Sequence, residues 1–165
     1  MQLHFSFHIQ FLWVIRLEFN GEFKLNNTKN ETLERLADFE GVVGCLPGIE
    51  TYEKEGDEYV CRLKLDASSM KTSYLNTISG KMSVKYAGIN GDSLDINGKG
   101  RVAGSSIKIA LHVDINDDPQ GTLVKWSVSV DYGIMSKLIE KEKLRAATLE
   151  NIDKSVQCLG NRLTH

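Results

Sequence analysis

Residues 107–115 read IKIALHVDI. Ile107, Ile109, Leu111, Val113 and Ile115 share one parity; Lys108, Ala110, His112 and Asp114 share the other. A strand sends successive side chains to opposite faces, so this segment has one dry face and one wet face. The same rule organises the chain on either side. The dry set upstream is Tyr59, Cys61, Leu63, Leu65, then Ile78, Gly80, Met82, Val84, Tyr86, then Leu94, Ile96, Gly98, Gly100, Val102. Downstream it continues with Val124, Trp126, Val128, Val130 and Tyr132. The wet parity takes the charges, among them Arg62, Lys64, Lys81, Lys85, Asp95, Lys99, Arg101, Lys125 and Asp131. No charged residue stands on the dry parity. A face with nothing that looks like acid–base machinery points to binding an apolar molecule rather than transforming a polar one.

The rest of the chain supplies the elements that cover this face. Residues 17–26 read as a first strand. Thr28 followed by Glu31 is a capping-box signature for a short helix carrying Leu33, Leu36 and Ala37 inward. Asp38 is expected to cap a second short helix ending near Cys45, before Leu46-Pro47-Gly48 stops it. Strands are expected at about 49–55 and 58–66, joined by Gly56-Asp57. Asn90-Gly91 reads as a hairpin turn, and residues 116–121 as the turn into the last strand. Residues 67–77 are a loop or the frayed start of a strand. From Ile134 to Leu159 there is no proline or internal glycine. One long helix is expected there, capped by Gly160, with Leu149, Ile152, Val156, Leu159 and Leu163 as its apolar stripe. At 1.5 Å per residue it would run about 39 Å, enough to cross the sheet. Strand, two short helices, six strands and one long helix predict an α+β fold. The expectation is a curled antiparallel sheet of about seven strands around its last helix, the helix-grip or START-like architecture.

The 165 residues suit one domain with a real core. A formal charge of −2, without a Lys/Arg cluster along the sequence, argues against nucleic acid as partner. Three cysteines, Cys45, Cys61 and Cys158, at wide and unequal spacing suggest no zinc or disulfide framework. A reducing cytoplasm is the expected compartment. Residues 1–16 form an apolar extension ahead of the domain at 17–165. The extension lacks the basic start and cleavage site of a signal peptide, and its apolar run is too short to span a bilayer. Its alternation joins that of the first strand. A single strand over residues 3–25 would reach about 75 Å, against a radius of gyration of about 15 Å for such a domain. It must therefore break, overhang or pair, as an extra strand, a tail, a misassigned start, or a surface touching a partner or membrane.

At residues 41–50, GVVGCLPGIE, the sequence resembles the carbon monoxide dehydrogenase G-subunit family of the START-like (SRPBCC) superfamily. Cys45-Leu46-Pro47-Gly48 matches that family's Cys-[Leu/Ile]-Pro-Gly segment. Residues 19–23, 55–59, 79–81 and 98–100 resemble its opening strand, first hairpin, mid-sheet strand and glycine-rich strand. Leu33 stands where the family often has Trp, Asp38-Phe39-Glu40 where it has Asp-Pro-Glu, and residues 67–77 match poorly. The resemblance implies a small accessory protein that binds a quinone or other lipid and serves a molybdenum-containing carbon monoxide dehydrogenase. It also implies peripheral contact with the inner face of the membrane. The C-terminal membrane tail of some members is not matched.

The candidate ligand-binding residues are Tyr59, Cys61, Gly80, Met82, Tyr86, Gly98, Gly100, Trp126, Val128, Tyr132 and Met135. Tyrosine and tryptophan rings can stack on a ligand ring while a polar tip anchors its carbonyl, and methionines adapt to a flexible tail. Each of these also suits ordinary core packing. The three glycines either open volume beside the helix or let the sheet curl. No catalytic residue, metal ligand or resident cofactor is expected beyond a bound quinone or lipid. Cys45 is the one candidate nucleophile, set against a packed structural cysteine. His112 reads as a solvated surface histidine. His4 and His8 lack a third metal ligand, the 98–104 run opens no helix as a dinucleotide loop must, and the 114–118 acids lack EF-hand spacing. The alternatives to a binder are a START-like cyclase, dehydratase or hydrolase, and an interaction subunit whose interior is filled by side chains. The mouth of the cavity is expected between the helix and the loops around 67–77 and 44–48.

Overall fold

The computed structural model describes residues 16–66 and 77–163. Seven strands form one sheet: β1 (Arg16–Leu25), β2 (Ile49–Glu55), β3 (Glu58–Asp66), β4 (Thr77–Asn90), β5 (Ser93–Val102), β6 (Ser105–Asp118) and β7 (Gly121–Asp131). Their order is β1-β7-β6-β5-β4-β3-β2, with every neighbouring pair antiparallel. After β1 the chain leaves the sheet through α1 (Lys29–Ala37), α2 (Phe39–Val42) and a 3₁₀ turn (Val43–Cys45). These carry it to the far edge, where β2 begins. From there six strands meander back until β7 meets β1. Two final helices, α3 (Met135–Leu138) and α4 (Lys141–Leu163), cover the inner face. This is the expected helix-grip arrangement.

The register aligns the apolar parity across strands. Leu17, Val130, Ile109, Gly98, Val84 and Tyr59 form one continuous row over six strands. The core divides in two along the strands. One cluster joins Leu17, Met82, Ile107, Tyr132, Met135 and Leu144 at the α3 end; the other joins Leu25, Leu36, Val42, Val113, Ile115 and Leu163 under α1 and α2.

Thr28 caps α1 as its sequence requires, accepting from the Glu31 N–H at 3.3 Å. Several expectations need correction. Asp38 makes no side-chain cap bond to α2. The β4–β5 turn is Gly91-Asp92, with Asn90 paired to Ser93 inside the ladder. The single helix expected over 134–159 is two, because Ile139 takes an extended backbone (φ −123, ψ 135) and buries its side chain in the first cluster. Core burial of that one residue outweighs the helix-forming tendency around it. Gly160 lies inside α4 rather than capping it, and Leu149 is 39% exposed instead of facing the sheet. The inward residues at the start of α4 are Leu144 and Ala147.

The cysteines give a further correction. Cys45 and Cys158 are disulfide-bonded, with a Cα separation of 5.4 Å across 113 residues of sequence. The bond excludes Cys45 as a free nucleophile and removes the ground on which a reducing compartment was expected. Among the described residues no helix is long and apolar enough to cross a membrane. The expectations for residues 1–15 and 67–76 fall outside the described residues, while Arg16 opens β1.

Candidate functional site

The candidate site is the inner face of the sheet beneath α4. A residue on an interior strand has its backbone covered by neighbours, so any exposure of an inward side chain measures open space above it. Val128, Leu111, Ile96 and Tyr86 form one inward row across β7, β6, β5 and β4, and all four are half-buried. Ile109 and Val84, in the next row, are half-buried as well. Leu17, Phe19, Met82, Leu94, Val113 and Val130 around it are buried, while Tyr59 and Trp126 are half-buried like the patch. An accessible apolar surface thus sits at the middle of the concave face, between the two packed clusters.

Trp126 bridges the clusters and packs against both. Its ring lies over Gly21 on β1, where a Cβ would stand 2.6 Å from Cζ2. Its Nε1 is buried and has no hydrogen-bond partner among the described residues. A buried indole N–H without an acceptor is costly, and such groups are uncommon in folded proteins.

The three predicted glycines separate by what a side chain would meet. A Cβ at Gly80 would stand 2.7 Å from the Val102 Cα, and one at Gly100 2.7 Å from the Met82 Cα. At both positions the neighbouring strand's backbone occupies the space, so these glycines permit the bend of the β4–β5 hairpin. At Gly98 the nearest atom is Met82 Sδ at 3.2 Å, the flexible end of a side chain.

The aromatic and sulfur residues also divide. Tyr59 stacks on Phe39 of α2 with ring centroids 4.2 Å apart. Tyr86 donates to the Leu36 carbonyl at 2.8 Å, fastening α1 to the sheet. Tyr132 shares a hydrogen bond with Thr148, which itself donates to the Leu144 carbonyl at 2.7 Å. Cys61, Met82 and Met135 are buried in the packed part of the core. Trp126 and Val128 border the accessible patch. Burial pushes the Cys61 thiol and the Tyr86 and Tyr132 hydroxyls up from their ordinary values.

Two features lay beyond sequence reasoning. Ile96, Ile109, Leu111 and Val84 carried the right parity but were indistinguishable from core. Arg145 of α4 turns inward, its guanidinium 5.4 Å from the centre of the Phe19 ring, although it follows a run of solvated charges. Among the described residues no group of His, Cys, Asp and Glu could hold a metal ion.

α4 is fixed at its C-terminal end. Asn27 Nδ2 and Arg35 Nη1 both donate to the Leu163 carbonyl, the latter at 3.2 Å, and the Arg162 guanidinium lies against Gly44. Cations and donors at a helix C-terminus satisfy its free carbonyls and oppose its dipole. Together with the disulfide, these contacts hold the helix over the sheet.

Comparisons with known proteins agree with this architecture. A conserved protein from Geobacillus kaustophilus superposes with a TM-score of 0.76 at 16% identity, covering 89% of this chain and 95% of that one. A Thermus thermophilus protein gives 0.60 at 14% identity, over 89% and 97% of the two chains. The Zhui aromatase/cyclase from Streptomyces sp. R1128 gives 0.58 at 12%, over 90% and 94%. At these identities the likeness is one of fold, the START-like helix grip. No curated protein matches significantly. The family model for the carbon monoxide dehydrogenase G-subunit (CoxG) matches residues 21–164, from within β1 through the Cys-Leu-Pro-Gly segment to the closing helix. The chain belongs to the carbon monoxide dehydrogenase G-subunit (CoxG) family.

Proposed function

We propose that the chain binds an apolar molecule of the quinone or isoprenoid-lipid class between the sheet and α4. In this reading it is an accessory protein of a molybdenum-containing carbon monoxide dehydrogenase or a related membrane-linked oxidoreductase. The observation that carries the proposal is the half-buried aliphatic patch of Val84, Ile96, Ile109, Leu111 and Val128 at the middle of the inner face. Covering about 200 Å² of such surface would contribute about 5 kcal/mol, before ordering costs. The buried Trp126 N–H favours a ligand with an acceptor: a quinone carbonyl would supply its missing hydrogen bond.

Binding is favoured over catalysis by the chemistry of the face. Proton transfer needs a group poised near the working pH. Cys61, Tyr86 and Tyr132 are shifted upward, away from neutrality, and the hydroxyls of Tyr86 and Tyr132 are engaged in the fold. The Arg145 guanidinium, set over the Phe19 ring, can orient a polar headgroup.

The sequence holds two tryptophans, so a Trp13→Phe background leaves Trp126 as the sole indole reporter. Titration with an isoprenoid naphthoquinone should quench its fluorescence saturably. Trp126→Phe keeps the ring and removes the donor, and should weaken affinity about three- to tenfold by calorimetry. A fluorescence signal that never saturates would contradict the proposal.

A further inference from the structure

The inner face is apolar in its strand side chains, yet a cation hangs over one end of it. Phe19, Val128, Leu111, Ile96 and Tyr86 stand in register on β1, β7, β6, β5 and β4, one inward row across five strands. From Val128 to Tyr86 the row is half-buried, and only Phe19, at its β1 end, is buried. Arg145 of α4 lies over that end. It is itself half-buried, with its guanidinium 5.4 Å from the Phe19 ring centre, in cation–π range. Among the described residues Arg145 makes neither an ion pair nor a side-chain hydrogen bond. No carboxylate stands in the Phe19 row or in the rows on either side, which run through Trp126 and Val130. A cation drawn partly out of water without a counter-charge is costly, and an anion beside it recovers that cost.

The surroundings give the row a direction. Gly21 follows Phe19 on the same face of β1, about 7 Å along, and carries the Trp126 ring with its unpartnered Nε1–H. Tyr132 and Thr148, the latter one turn beyond Arg145 on α4, are taken up by their hydrogen bond to each other. Free donors therefore gather at the β1 end. The β4 end has the opposite sign: burial first, then the negative charges of Tyr59 and Asp38, hold the Tyr86 hydroxyl above its ordinary value.

We infer that the inner face takes an apolar chain, isoprenoid or fatty, that ends in a carboxylate, with the carboxylate on Arg145 and the chain along Val128, Leu111, Ile96 and Tyr86. A planar guanidinium meets a carboxylate through two parallel hydrogen bonds, and partial burial strengthens the attraction. The reverse orientation would bring the carboxylate towards Asp38. Three strand spacings from Val128 to Tyr86 amount to about 14 Å, room for a chain the length of dodecanoic acid. The inference rests on reading this face as an apolar-ligand site, and it narrows the ligand's head from any acceptor to an anion.

The test compares dodecanoic acid with its methyl ester, each below its micellar concentration, at about pH 7.5, where the acid is ionised. Trp126 fluorescence in the Trp13→Phe background reads both titrations. The acid should bind at least about tenfold more tightly than the ester, as a charge-assisted hydrogen bond provides. Arg145→Gln should bring the acid down to the ester's affinity and leave the ester's unchanged, so ester binding also reports that the variant folds. Arg145→Lys keeps the charge without the planar fork and should retain part of the preference. Trp126→Phe, followed by calorimetry, should weaken acid and ester alike, because its N–H serves any acceptor. Equal affinity of the wild type for acid and ester, or a preference that survives Arg145→Gln, would overturn the inference and leave the apolar site standing. Binding of neither would overturn both.

Discussion

Gly98 and Gly100 are two residues apart on one strand and share a parity, yet they do different things. Gly100 is where β4 and β5 cross too closely for a side chain, so Gly100→Ala should cost about 2–3 kcal/mol by overpacking. Gly98→Ala meets only the end of Met82 and should cost under about 1 kcal/mol by the same reasoning. Urea unfolding of the pair checks the contrast; equal costs would contradict the assignment. Period-2 alternation placed both glycines on the inner face but could not tell curvature from cavity, because the deciding atoms belong to the adjacent strand. His112 was legible as a surface residue, but its partners were not. Its Nδ1 lies 2.6 Å from Asp95 and its Nε2 3.1 Å from Asp114. The Asp95 hydrogen bond, aided by that to Asp114, raises the imidazolium above its ordinary 6.5. The charged form is therefore favoured by folding. Its stabilisation is complete below the unfolded value and lost as pH rises through the folded one. The melting difference between wild type and His112→Asn should be largest near about pH 5.5 and shrink by about pH 8.5.

At the level of elements, the strands were readable because a half-buried sheet writes its burial directly into alternation. β2 and β3 have the bounds expected from the sequence. The helices were less so. Nothing local marks the break at Ile139; it arises because that side chain is drawn into the cluster with Tyr132 and Met135. The Cys45–Cys158 bond was equally invisible, since 113 residues separate its ends and only the closed fold brings the 3₁₀ turn to α4. That bond should stabilise chiefly by restricting the unfolded chain. Reduction, or Cys45→Ala/Cys158→Ala, is expected to lower stability by about 2–4 kcal/mol. Urea unfolding with and without reductant measures this directly, and an unchanged midpoint would refute it. The helix end should remain seated after reduction, because Asn27, Arg35 and buried Leu163 still hold it.

One alternation sets the two faces of the whole molecule. Its concave side gathers apolar side chains and leaves their centre half-buried; its convex side takes the charges. Parity alone separated the faces. What it left illegible was where packing stops, because a residue at the edge of a cavity and one in a filled core have the same sequence signature. The half-buried centre is proposed to hold an apolar ligand. Val128 borders that space on an interior strand, so Val128→Trp should fill it while the strands stay paired. The most direct measurement is organic extraction of natively purified protein, read by mass spectrometry with ultraviolet detection. A stoichiometric quinone or isoprenoid lipid in the wild type, absent from a folded Val128→Trp variant, is the predicted result. Wild-type protein that yields no such molecule, even after incubation with membranes, would contradict a ligand-binding role for this face.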